Sequence, residues 1–117
     1  MSKKMTIGRV AAAVAITATS LVWVGASASQ AAVDCTQYGT NKDGGYLYTA
    51  GAVPYRRGPA AECPSVGNHE GKAFIWCSKY NTYGNLWYYV RDSSSNTVGW
   101  VWSGNVSSVV GSNHATC

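Results

Sequence analysis

Four cysteines, two histidines, five carboxylates, five tryptophans and eight tyrosines are the side chains of this 117-residue sequence with chemistry to offer. Cys35, Cys63, Cys77 and Cys117 include no C-x-x-C or C-x-x-H pair, the spacing on which zinc sites are usually built. An even count at wide spacing is instead the pattern of two disulfides, each closing a loop of tens of residues and worth about 3–4 kcal/mol in the chain-entropy account. Three pairings are possible, and spacing alone does not choose among them. With every thiol bridged, no cysteine nucleophile remains. His69 and His114 stand in no catalytic spacing, and Asp34, Asp43, Glu62, Glu70 and Asp92 are scattered singly, with no pair suited to glycoside hydrolysis. The expectation is a protein that is not an enzyme and needs no metal and no cofactor.

The rings are different, because they are concentrated. "LWYYVRDSSSNTVGWVW", residues 86–102, holds three tryptophans and two tyrosines in two short runs separated by a polar turn. Aromatic side chains supply large contact area at low entropy cost, so such a cluster is either a packed core or a ligand surface. Which it is depends on the elements that carry it.

Residues 1–31 read as a secretory signal peptide. Lys3, Lys4 and Arg9 form a charged start with no acid, and "VAAAVAITATSLVWVGA" follows as an apolar or small-residue run. The small-x-small pattern occurs as Ala26-Ser27-Ala28 and as Ser29-Gln30-Ala31, and cleavage is expected after Ala31, with Ala28 as the alternative. The run is nearly long enough to span a bilayer, but its Ala and Thr content is only mildly hydrophobic, so no membrane anchor is expected in the mature form. Beyond residue 31, six Lys and Arg face five Asp and Glu, a net charge of +1. The basic pI of about 9.0 is therefore largely a property of the leader. A nucleic-acid reading loses the basic stripe it needs.

The mature chain has the periodicity of strands. "GYLYTA" (45–50), "KAFIWCSKY" (72–80), "NLWYYVR" (85–91) and "TVGWVW" (97–102) are short, rich in aromatic and branched residues, and bounded by Gly, Asn, Ser or Pro. "GPAAECPSVGNHEG" (58–71) reads as a long irregular loop and "RDSSSNTVG" (91–99) as a hairpin connection. The tail carries a weak apolar patch at Val106, Val109 and Val110. No stretch has helical periodicity, and the whole reads as one all-β domain, a small barrel or sandwich.

The order of short motifs resembles the bacterial SH3 domain family. The match consists of Arg56-Arg57-Gly58-Pro59, Val66-Gly67, Trp87 through Val90, and Gly99-Trp100-Val101, over about residues 45–106. Pro54, Tyr55 and Arg57 depart from the smaller polar and aliphatic residues usual in that loop. The resemblance implies an SH3-like barrel of about five strands over 45–106, after an N-terminal segment 32–44 and before a disulfide-tethered tail 107–117. It also implies the pairing Cys77 with Cys117 and Cys35 with Cys63.

On such a barrel, strand alternation sends Leu86, Tyr88, Val90 and Val101 inward. Trp87 then points away from the core, Trp100 and Trp102 lie at least partly outside, and a buried Cys77 beside Ala73 and Ile75 leaves Phe74 and Trp76 outside. By analogy with eukaryotic SH3 domains, Trp87 and Trp102 fall where groove residues lie, although Asn105 stands where a groove tyrosine would be. What the resemblance implies is a secreted, monomeric recognition domain whose aromatics, Trp87, Trp102 and Trp76, hold a peptidoglycan peptide. The alternative is a secreted effector or hydrolase inhibitor whose partner is an extracellular protein, met by the loop Tyr55–Pro59 through Tyr55, Arg56 and Arg57.

Overall fold

The computed structural model describes residues 32–117, so the leader expected over 1–31 and its cleavage site lie outside the described residues. Seven strands form: β1 (Tyr46–Thr49), β2 (Val53–Arg56), β3 (Ser65–His69), β4 (Lys72–Tyr80), β5 (Leu86–Asp92), β6 (Val98–Trp102) and β7 (Val106–Val110). They make one antiparallel sheet in the order β3-β2-β6-β5-β4-β1-β7. The outermost strands, β3 and β7, are not hydrogen-bonded to each other, so the ladder is open rather than closed.

The all-β expectation holds, and β1, β4, β5 and β6 occupy the stretches whose periodicity predicts them. β2, β3 and β7 lie in stretches read as loop or tail. β3 is Ser-Val-Gly-Asn-His, with no apolar alternation, and it becomes a strand because β2 pairs with it from Val53↔His69 to Arg56↔Ser65. β7 leaves four of its five residues exposed and is held by its ladder to β1. Pairing supplied by a neighbour, rather than residue preference, makes these strands.

One face of the sheet buries Leu47, Val53, Tyr55, Ala73, Ile75, Tyr88, Val90 and Val101 in a single cluster. Its members come from β1, β2, β4, β5 and β6, so the sheet curls until strands far apart in its order share a core. The opposite face has a second cluster, Cys77, Trp87, Tyr89 and Trp100, with Trp76, Val98 and Cys117 packed against it. A bulge in β4 explains how Cys77 reaches this face. Ile75 pairs with Val90 and Cys77 with Tyr89, so Trp76 is the extra residue and alternation restarts after it. Cys77 therefore does not share the face of Ala73 and Ile75, against the expectation from simple alternation.

The second cluster is roofed by both ends of the described chain. Trp100 Nε1 donates to the Gln37 carbonyl at 3.0 Å, and the Lys42 amide donates to the Trp76 carbonyl at 2.8 Å. A Cβ on Gly39 would stand 2.5 Å from Cys77 Sγ and 2.6 Å from the Tyr89 ring, so only glycine lets this segment lie so close. From the other end, the Ser78 amide donates to the Ala115 carbonyl and the Cys117 amide to that of Ser78, beside the Cys77–Cys117 bridge. The second bridge is Cys35–Cys63, and both match the pairing the resemblance implies. Two such bridges mark a chain that folds in an oxidising environment.

Candidate ligand-binding groove

Trp87 and Trp102 are cross-strand partners at one end of the β5–β6 ladder. Trp87 lies on the face away from Val90, as alternation requires, but the roof and the flanking loops leave it only 4% exposed. Trp100, expected partly outside, is fully buried beneath the same roof. Trp102 is 43% exposed. Its position depends on the single 3-10 turn Ser103–Asn105 that follows: a Cβ on Gly104 would come within 2.4 Å of the far edge of the indole.

Two loops complete the surroundings. The loop 57–64 is rigid: Arg56 Nη1 donates to the Cys63 carbonyl at 3.0 Å, the Arg57 amide donates to the Pro64 carbonyl at 3.0 Å, and Cys63 is bridged to Cys35. Gly58 is required there, because a Cβ would meet the Cys35 backbone at 2.5 Å. The turn between β4 and β5 is organised by the buried Asn81. Its Oδ1 accepts from the Tyr83 and Asn85 amides, both at 3.0 Å, and its Nδ2 donates to the Pro59 carbonyl at 2.7 Å, tying turn to loop. Farther out, the Tyr83 hydroxyl donates to Glu62 Oε2 at 2.6 Å, and that bond, with burial second, pushes the phenol's pKa up.

Between these loops lies a cleft of about 220 Å³, lined by Ala61, Glu62, Asn81, Tyr83, Asn85, Trp87 and Trp102. Trp87 is its floor and Trp102 its exposed side. Trp87 Nε1 is buried without a hydrogen-bond partner, which costs about 1–3 kcal/mol and marks a tolerated defect beneath the groove. Chemically the cleft offers flat apolar faces, the Asn85 side-chain amide and one carboxylate, the Asn81 amide being engaged by the turn and by Pro59. That combination suits an extended peptide better than a polyanion.

Of the residues singled out from the sequence, the structure brings Trp87 and Trp102 together in this cleft and leaves Trp76, Tyr55, Arg56 and Arg57 outside it. Trp76 is half-buried against Tyr89, with ring centroids 5.6 Å apart, and Phe74 is half-buried beneath Lys72 and Arg91; neither ring lines the cleft. Tyr55, expected on an exposed loop, is fully buried as a member of β2, its ring 4.7 Å from that of His69. Pro59 is buried as well, whereas Arg57 is exposed. Tyr83, Glu62 and Asn81 belong to the groove without having been singled out. For Tyr83 and Asn81 the signal is "NTYGN" between two aromatic strands, a turn composition that does not mark a wall of a site; Glu62, in the loop 57–64, carries none.

One polar cluster imitates a catalytic set. His69 Nδ1 lies 3.7 Å from Asp92 Oδ2 and 3.5 Å from Ser95 Oγ. Yet Ser95 Oγ donates directly to Asp92 Oδ2 at 2.7 Å, and both neighbours of His69 share one ring nitrogen. The histidine is not interposed between acid and hydroxyl, as a relay would require. Burial opposes ionisation of Asp92, but the Ser95 hydroxyl and amide outweigh it and hold the carboxyl below its usual range. The cluster closes the hairpin between β5 and β6.

No protein-family model matches the chain, and neither a curated protein nor a solved structure matches it significantly. The resemblance to bacterial SH3 domains therefore rests on the sequence motifs alone.

Proposed function

We propose that this chain is a secreted, non-catalytic binding domain that takes an extended peptidoglycan peptide into the groove between Trp87 and Trp102. The observation that carries the reading is the meeting of these two cross-strand rings in one cleft whose walls are cross-linked by Asn81–Pro59 and Tyr83–Glu62. A site assembled on loops that are already rigid loses little entropy when a flexible ligand binds. Trp102 supplies the exposed contact, Trp87 the floor, and Asn85 and Glu62 the polar partners for peptide amides.

The SH3-like reading is supported by the consecutive run β7-β1-β4-β5-β6, by the 3-10 turn between β6 and β7, and by the single core cluster drawn from strands far apart in the sheet. On that reading the sheet is a small, curled barrel with the β2–β3 hairpin added beside β6, and the cleft lies between the loop 57–64 and the turn joining β4 to β5. The alternative, an effector that inserts the loop Tyr55–Pro59 into a partner protein, is weakened because Tyr55 and Pro59 are buried, leaving Arg57 as the exposed anchor.

The test is co-sedimentation of the oxidised protein with protein-free peptidoglycan. Trp102→Ala is expected to reduce retention by at least about tenfold, as loss of an interfacial aromatic anchor does, with its melting transition little changed. Gly104→Ala, which must displace the indole, is expected to weaken retention in the same direction. Unchanged retention of Trp102→Ala would sink the groove reading, and no retention of the folded wild type would move the protein to the protein-partner class.

A further inference from the structure

A second cleft, of about 410 Å³, is built by the segment that precedes the sheet. Thr36, Gln37 and Tyr38 of that segment line it together with Arg56, Arg57 and Tyr89. No carboxylate lines it. Its walls are held before any ligand arrives: Cys35 is bridged to Cys63, Gln37 is fastened by Trp100 Nε1, and the Arg57 amide is tied to Pro64.

Two arginines thus line a cleft that has no acidic residue in its walls. The Arg56 guanidinium is half-buried and gives Nη1 to the Cys63 carbonyl, which leaves further donors of its planar fork. Arg57 is exposed and makes no ion pair among the described residues. Tyr38 is 81% exposed, a ring standing in solvent on a segment that is otherwise fastened down. Burial, and then the neighbouring Tyr38 phenol, pushes the Tyr89 hydroxyl up, so it stays neutral at physiological pH. Val66 and Val98 add apolar surface. A single anionic group attached to a small apolar body fits this mixture better than a multiply charged phosphate polymer does.

We propose that the cleft captures the C-terminal carboxylate of a peptide on the guanidinium groups of Arg57 and Arg56, with Tyr38 closing over the terminal residues. The inference rests on the reading of a wall peptide as ligand and adds the chemical end by which it is held. Arginine pairs a carboxylate through two parallel hydrogen bonds, so the interaction selects a free acid over an amide.

The experiment titrates the oxidised protein with the synthetic pentapeptide Ala-D-iGln-Lys-D-Ala-D-Ala and with its C-terminal amide, using calorimetry and amide chemical shifts. The free acid is expected to bind at least about tenfold more tightly than the amide, with shifts at residues 36–38 and 98–99. Arg57→Gln is expected to abolish that difference, and Tyr38→Ala to weaken both ligands while leaving the preference. Equal binding of acid and amide overturns the proposal, as does a preference that survives in Arg57→Gln. If both bind equally and Trp102→Ala weakens both, the groove reading stands and the carboxylate cleft falls. If neither peptide binds although peptidoglycan retains the wild type, the cleft again falls alone, and if retention also fails, both readings fall.

Discussion

Asp43 is a buried acid with its own set of donors, and it joins the two ends that roof the sheet. Its Oδ1 accepts from the Gly45 amide at 2.8 Å and the Asn113 amide at 3.3 Å, and its Oδ2 from the Ser112 hydroxyl at 2.6 Å. Burial opposes its charge, but the Ser112 hydroxyl and the two amides outweigh burial and lower its pKa from the ordinary 3.8. Because the folded value is the lower one, this stabilisation is complete above the ordinary value and is lost as pH falls through the folded one. Asp43→Asn should therefore cost about 1 kcal/mol at neutral pH, since the amide keeps an acceptor for the two backbone amides but loses the charge that strengthens these bonds, and should flatten the acid side of the stability curve measured by denaturant titration. Asp43 lies in "NKDGG", a turn composition that fits its contact with Gly45. Its bonds to Ser112 and Asn113 span some 70 positions and leave no local trace.

The two disulfides hold different elements. Cys77–Cys117 fastens the tail to β4 over a separation of 40 residues, and Cys35–Cys63 fastens the N-terminal segment to the loop 57–64 over 28. Chain entropy assigns each about 3–4 kcal/mol, so equilibrium unfolding alone would not separate their roles. Their positions do. Replacing Cys35 and Cys63 together with serine should speed amide exchange in residues 57–64 and weaken both clefts, whereas replacing Cys77 and Cys117 should first free the tail and the cover over Trp100. Hydrogen exchange resolved by segment checks this ordering. At this scale the four aromatic strands were legible because their alternation is a local property. The bulge at Trp76 was not, and it alone sends Cys77 to the face opposite Ile75.

Beyond residue 31 the chain carries nearly balanced charge, and the proposed groove has one carboxylate among rings and amides. Retention on peptidoglycan through Trp102 should accordingly change little between about 0.05 M and about 0.5 M salt, whereas association driven by exposed charges would fall across that range as the Debye length shortens. The carboxylate preference assigned to Arg57 should weaken with salt over the same range. Residue types alone determined that the molecule is all-β and built around aromatic strands, and an even cysteine count pointed to two bridges. These follow from periodicity and spacing, which are written along the chain. Only the tertiary structure decided which rings face a ligand. Alternation assigns a side chain to a face of a strand, but exposure depends on what covers that face. Here segments distant in sequence lie over Trp87 and Trp100, whereas Trp102 is left 43% exposed.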